Sequence, residues 1–283
     1  MSVAIVTDST SDLDAEIAAR FGIDIVPLFV NFGERRYRDA IELSRRDFYA
    51  MLASEKALPT TSQPTSAMFE DAFRAHVAAG RPIVCLSIMA SLSGTLNAAK
   101  AAAAQFPDAE IHLVDSETVA GGLALQAVHA ATMAQSGAGA DAILAALAHD
   151  RATQRGYASI PDLSHAVRSG RVSRAQAFIG SLVKIVPVLR IDSGAVQAEA
   201  RVRTFARAQD TMIASASAVL GDGEGAYLAV VHANAPELGR SVLERLMAGL
   251  RGTPAFVAAL EVGPVIAAHA GAGACGIFVI PRA

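Results

Sequence analysis

Along the first half of the chain, short apolar runs alternate with polar turns and segments of helical periodicity, and that alternation admits few architectures. Strands that read as continuous apolar runs are covered on both faces, and the helical segments between them supply the cover. Residues 4–7 form the first run, followed by the polar stretch Asp8, Ser9, Thr10 and Ser11. Ser11 and Asp14 have the spacing of a capping box for a helix with Leu13, Ile17 and Phe21 on one face, and Gly22 ends it. Val26, Leu28, Val30 and Phe32 alternate as one strand, with a turn at 31–34 that returns it through Tyr37. Ser44 and Asp47 repeat the capping spacing before Phe48, Met51 and Leu52. A hydroxyl-rich loop at 60–64 leads to a helix carrying Phe69 and Phe73, and residues 83–88 and 111–114 read as further buried strands.

Alanine-rich helices at 124–134 and 142–148, with Gly137 and Gly139 between them, precede a second strand set at 157–160, 186–191, 227–231, 256–262 and 277–280. Asp192, Ser193 and Gly194 mark a hairpin turn within it. A chain of 283 residues that is 52% hydrophobic and 18% charged has apolar area for two cores. The expected fold class is therefore α/β, with an N-terminal α/β domain built on a parallel sheet (residues 1–150) and a C-terminal α+β domain (residues 151–283).

The formal charge of −3 and the scattering of Arg and Lys argue against a nucleic-acid partner, which requires basic residues gathered on one face. Cys85 and Cys275 lie inside apolar runs and read as buried thiols, and the first residues enter a strand pattern directly, so the cytoplasm is the expected compartment. Residues 262–280 contain no Asp, Glu, Lys or Arg over a length that can span a bilayer. Their Pro264, His269 and four glycines fit a strand, a turn and a second strand better than a lipid-facing helix, which leaves at most transient membrane contact.

The sharpest local feature is Ser91, Leu92, Ser93, Gly94 and Thr95, between a strand and an Ala-rich helix. Free amides at a helix N-terminus together with the Ser93 and Thr95 hydroxyls suit a carboxylate or phosphate; the same hydroxyls equally suit a simple helix cap. Thr60, Thr61 and Ser62 form a second hydroxyl cluster, which reads either as turn chemistry or as donors to the same ligand. His269 stands among small and apolar residues, either as a satisfied core histidine or as a donor to an anion between the domains. The Gly271, Gly273 and Gly276 spacing matches a dinucleotide fingerprint but leads into a strand instead of out of one. Two basic groups, Arg168 to Ser173 including Arg171, and Arg201 with Arg203, suit solvent, a phosphate or an acidic protein surface. No nucleophile elbow, Walker loop or set of metal-ligand spacings is present, so neither cofactor nor metal is expected. The competing enzyme reading uses Ser93 and His269 on a small carboxylated or phosphorylated substrate, with Asp8 or Asp115 orienting the base.

In order, residues 7–13 (TDSTSDL), Thr61-Ser62-Gln63-Pro64, Leu92-Ser93-Gly94-Thr95, Asp115-Ser116, Ser169-Gly170-Arg171-Val172-Ser173, and Gly263-Pro264 with His269 and Gly271 resemble the DegV family over essentially the whole chain. The resemblance implies a carrier without its own catalytic site, which buries a long-chain fatty acid in a tunnel. It implies that hydroxyls at Thr61 and Ser93 hold the carboxylate, with Ser62, Gly94, His269 and Arg171 near the head group. It also implies a partner, an ATP-dependent fatty-acid kinase that phosphorylates the presented carboxylate, docking on Arg201 and Arg203. The sequence departs from the family's pattern at Met89-Ala90, where two serines are usual, at Ser169 for a glycine, and at Val186 for a lysine before Pro187. A chain of about sixteen carbons gains on the order of 10 kcal/mol from burial at roughly 0.8 per methylene, and an unpaired buried carboxylate would cancel several of those.

Overall fold

The first apolar run forms β1 (Ala4–Asp8), which is buried along its whole length. It pairs in parallel with β2 (Ile23–Val26) on one side and β6 (Ile83–Ser87) on the other, and β6 pairs in parallel with β7 (Ile111–Asp115). These four strands, in the order β2-β1-β6-β7, are the parallel sheet that the alternating pattern required. The protein is seen in a computed structural model that describes residues 2–55, 57–161, 164–171 and 185–282. Val172 and Ser173 of the basic turn lie outside the described residues.

Two local expectations are corrected. The alternation from Val26 to Phe32 is not one strand: Val26 ends β2, and β3 (Phe29–Phe32) begins a separate three-stranded antiparallel sheet with β4 (Arg35–Arg38) and β5 (Thr60–Ser62). Pro27 separates them, since it brings no N–H to a sheet ladder. Ser11 does not cap the first helix. It closes a 3₁₀ turn (Ser9–Ser11) that Asp8 caps, Asp12 then turns left-handed at φ 58°, and Asp14 caps α1 (Ala15–Phe21) by accepting from the Ile17 amide at 2.7 Å. The second capping pair forms as expected: Ser44 accepts from the Asp47 amide at 3.1 Å at the start of α2 (Arg45–Ser54).

Helices α3 (Ser66–Ala78) and α4 (Thr95–Ala103) cover one face of the parallel sheet, through Phe69, Phe73, Ala98 and Ala102. The second strand set is a six-stranded mixed sheet formed by β8 (Arg155–Ser159), β9 (Val186–Asp192), β10 (Ala195–Val202), β11 (Tyr227–His232), β12 (Phe256–Glu261) and β13 (Cys275–Ile280), ordered β10-β9-β8-β13-β11-β12. Its outer face carries α8 (Phe205–Leu220) and α9 (Pro236–Met247) through Met212, Leu220, Val242 and Leu246.

Between the two sheets runs α5 (Gly121–Gln135), which contains no Asp, Glu, Lys or Arg and is buried on nearly every side. A helix apolar all round belongs inside a protein, and its alanines and glycines let both sheets approach closely. α6 (Ala140–Thr153) packs beside it, and α7 (Ser164–Arg168) follows β8. Residues 262–280 are corrected in one respect: Pro264 starts a short helix, α10 (Pro264–Ala270), where a turn was expected. No helix among the described residues is long and apolar enough to cross a membrane. Cys85 and Cys275 are free, buried thiols in β6 and β13.

Candidate functional site

The hydroxyl stretch, expected as a loop but forming β5 over Thr60–Ser62, the Ser-Gly-Thr turn and the lone histidine meet at one place. Thr61 lies in β5, opposite Val30 of β3, and its Oγ1 shares a 2.8 Å hydrogen bond with Nε2 of His269 on α10. Gly94 immediately precedes α4, and a Cβ there would stand 2.1 Å from Gln63 Oε1, so the Gln63 side chain lies across the turn that carries Ser93. Ser93 Oγ bonds Thr95 Oγ1 at 2.8 Å and accepts from the Thr95 amide at 3.3 Å. Thr61, Ser62, Ser93, Gly94, Arg171 and His269 all line one cavity of about 580 Å³, a size typical of small-molecule sites.

Apart from Gln63, Ser91 and the Cys275 thiol, the rest of the described lining is apolar and comes from both halves of the chain. Leu28, Ile88 and Val119 contribute from the first half of the chain, Leu189, Ile191 and Phe278 from the inner face of the six-stranded sheet. Among the described lining residues, Arg171 alone carries a fixed charge, and it is a cation, while His269 offers ring nitrogens for hydrogen bonding. Cys275 also lines the cavity, but burial pushes its thiol up to about 12 and keeps it neutral. An apolar chamber with hydroxyls, a carboxamide, an imidazole and a guanidinium accommodates an amphiphile with an anionic head.

Below the polar cluster, three buried carboxyls brace the loops. Asp8 accepts from the Ile88 amide at 2.8 Å and the Thr10 amide at 3.0 Å, Asp12 from the Gly263 amide at 2.8 Å, and Asp39 from the Ser9 hydroxyl at 2.7 Å. Ser9 Oγ accepts in turn from the amide of Leu28, a cavity residue. Burial pushes Asp8 and Asp39 up to about 6, against the opposing pull of these hydrogen bonds and, at Asp39, of Arg45. Burial also raises Asp12 well above the usual carboxylate range. Gly263 leaves room for this packing, because a Cβ there would meet both Asp12 Oδ1 and Asp39 Oδ1 at 3.3 Å.

Among the described residues, no hydrogen bond joins Ser93 to His269 or either of them to Asp8 or Asp115. Ser93 Oγ is engaged with Thr95 rather than His269, and the carboxylate of Asp115 accepts the amides of Ala90 and Glu117 at 3.2 and 3.0 Å. Asp8 is committed to Thr10 and Ile88.

Residues 2–282 match the family model described as uncharacterised protein, DegV family. The chain belongs to the DegV family. Protein DegV of Bacillus subtilis is 32% identical over 282 residues, covering 98% of each chain, and a DegV domain-containing protein of Streptomyces coelicolor is 34% identical over 284 residues, covering 99% of each. Among solved structures, a fatty-acid-binding DegV family protein from Thermus thermophilus superposes with a TM-score of 0.91 at 29% identity, covering 99% of each chain. A stearic-acid-binding protein from Eubacterium ventriosum superposes with a TM-score of 0.90 at 25% identity, covering 98% of each.

Within this DegV chain, Arg201 and Arg203 stand apart from the cavity, exposed at the end of β10 and in the step to α8. Of the departures from the family pattern, Ala90 lines the cavity while Met89 is buried outside it, and neither Ser169 nor Val186 lines it. Sequence reasoning treated Gln63 as loop and missed the apolar wall of Leu189, Ile191 and Phe278. One signal for Gln63 was present: a glycine occupies the cap position of α4, where serine or aspartate is at least as good, and the Gln63 side chain fills the vacated space.

Proposed function

We propose that this DegV protein binds a long-chain fatty acid, with the acyl chain in the 580 Å³ cavity and the carboxylate among Thr61, Ser62, Ser93, Gly94, Arg171 and His269. The single observation that carries this reading is the division of the described lining into an extensive apolar wall and a hydroxyl cluster joined by the cationic Arg171 and by His269. Burial of the chain supplies the affinity, and charge-assisted hydrogen bonds keep the carboxylate's desolvation from cancelling it. The Thermus and Eubacterium neighbours, which bind a fatty acid and stearic acid, support the same assignment. On this reading the protein is a cytoplasmic carrier of two domains, residues 1–150 and 151–283, that needs no cofactor and has no catalytic site of its own. It presents the carboxylate to an ATP-dependent fatty-acid kinase that docks on Arg201 and Arg203.

The test is mass spectrometry of the organic extract from freshly purified protein, beside a titration of delipidated protein with fatty acid. One acid per chain is expected in the wild type. Thr61→Ala and Ser93→Ala each remove a hydrogen bond to a charged group, worth about 1.5–3 kcal/mol, so affinity is expected to fall about 10- to 100-fold. Absence of lipid from the extract together with failure to take up added acid would remove the carrier reading.

A further inference from the structure

On the face of the six-stranded sheet that meets α5, the strand register sets Ala158, Gly276 and Val231 side by side in one row and Gly156, Phe278 and Ala229 in the next. The first row lines the cavity, and Gly276 at its centre leaves the chamber its depth. In the second row one large ring stands between two residues with almost no side chain. Phe278 is 2% exposed and lines the cavity, whereas Gly156 and Ala229 do not.

Glycines hold that ring on its remaining sides. A Cβ at Gly156 would lie 2.5 Å from Phe278 Cε1, one at Gly121 would lie 2.8 Å from Cδ2, and one at Gly122 would lie 3.1 Å from Cδ1. Carbon atoms in contact ordinarily stand about 3.5–4.0 Å apart, so the ring occupies space that exists only because three neighbours lack side chains. None of the three glycines lines the cavity. The ring therefore separates the chamber from the glycine-lined core between β8, β13 and α5, and in a close-packed interior it has no room to swing aside.

We propose that Phe278 is the end stop of the chamber and sets the upper length of the acyl chain this protein accepts. The inference rests on the fatty-acid reading and adds to it a specificity-determining residue, together with the glycine seat that fixes its position. Shortening the side chain opens the chamber toward Gly156 and Gly121. Adding a methyl at Gly156 has the opposite effect: with Gly121 and Gly122 of α5 behind the ring, the only space left to it is the chamber itself.

The experiment is a set of dissociation constants for saturated acids from twelve to twenty carbons, measured on delipidated wild type, Phe278→Leu, Phe278→Ala and Gly156→Ala. In the Phe278 variants, the affinity ratio of an acid two carbons longer than the wild-type optimum over that optimum is expected to rise about tenfold, the gain from seating roughly two more methylenes. In Gly156→Ala the optimum is expected to move to shorter acids. Phe278→Leu keeps most of the packing and carries the comparison if Phe278→Ala does not fold. Length profiles that superimpose on the wild type, or affinities reduced equally at every length, would overturn the end stop while leaving the fatty-acid reading intact. A wild type that takes up no acid of any length would overturn both.

Discussion

Gly94 illustrates how a single position joins the two hydroxyl motifs. Its lack of a side chain admits the Gln63 carboxamide over the turn that bears Ser93, while Thr61, two residues before Gln63, meets His269. A methyl at Gly94 would collide with the far end of a flexible side chain, which can move away at little cost to the fold. Gly94→Ala is therefore expected to change stability by no more than about 2 kcal/mol, the upper range for losing a helix cap, while displacing Gln63 and weakening fatty-acid binding severalfold. Thermal unfolding beside a lipid titration separates the two effects; unchanged binding would mean that Gln63 has no part in shaping the mouth. The residue types at 61, 93 and 269 were legible in the sequence, but their mutual contact was not. Thr61 and His269 are 208 positions apart, and no local pattern encodes such a pairing.

Among the elements, the most legible were those whose periodicity matched their burial. α3 buries Phe69 and Phe73, and β6 is buried at every position, as a helix stripe and a parallel strand require. Two elements misled for identifiable reasons. The run from Val26 to Phe32 keeps a period of two across a change of sheet, and only Pro27 betrays the break. α10 is short and rich in small residues, so its periodicity does not distinguish a helical turn from a loop. The proposed kinase docking belongs to the end of β10, where Arg201 and Arg203 are exposed and do not line the cavity. Replacing both by Glu is expected to slow phosphorylation of the bound acid by a bacterial fatty-acid kinase at least tenfold, since like charges across an interface slow encounter and oppose docking. The lipid titration should stay unchanged; phosphorylation at the wild-type rate would place the kinase surface elsewhere.

At the scale of the whole molecule, the buried carboxyls make stability depend on pH. An aspartate titrates near 3.9 in an unfolded chain, and Asp8 and Asp39 are pushed up to about 6 in the fold. The folded state thus binds these protons more tightly than the unfolded state. Their contribution to stability falls as the pH rises from about 4 to about 6 and levels off above about 7, by about 3 kcal/mol for each group. Asp39→Asn keeps an acceptor for the Ser9 hydroxyl and removes one titration. Urea unfolding is expected to show the variant gaining up to about 3 kcal/mol on the wild type between about pH 4 and about pH 7.5. A difference between the two proteins that does not vary with pH would show that Asp39 ionises as freely in the fold as out of it. The sequence by itself determined the parallel sheet, most of the strands, the end of α1, the start of α2 and the residue types of the polar mouth, because periodicity, capping and turn chemistry act over a few neighbouring positions. Only the tertiary structure decided that the largest core is shared by both halves of the chain, with α5 between two sheets. It also decided that a strand, a turn and a helix from distant parts of the chain converge on one cavity and that Phe278, which lines it, stands in a seat of glycines. Those features depend on side chains from distant segments packing to contact distance, and burial of apolar area favours such packing without recording in any local stretch which partner will be met.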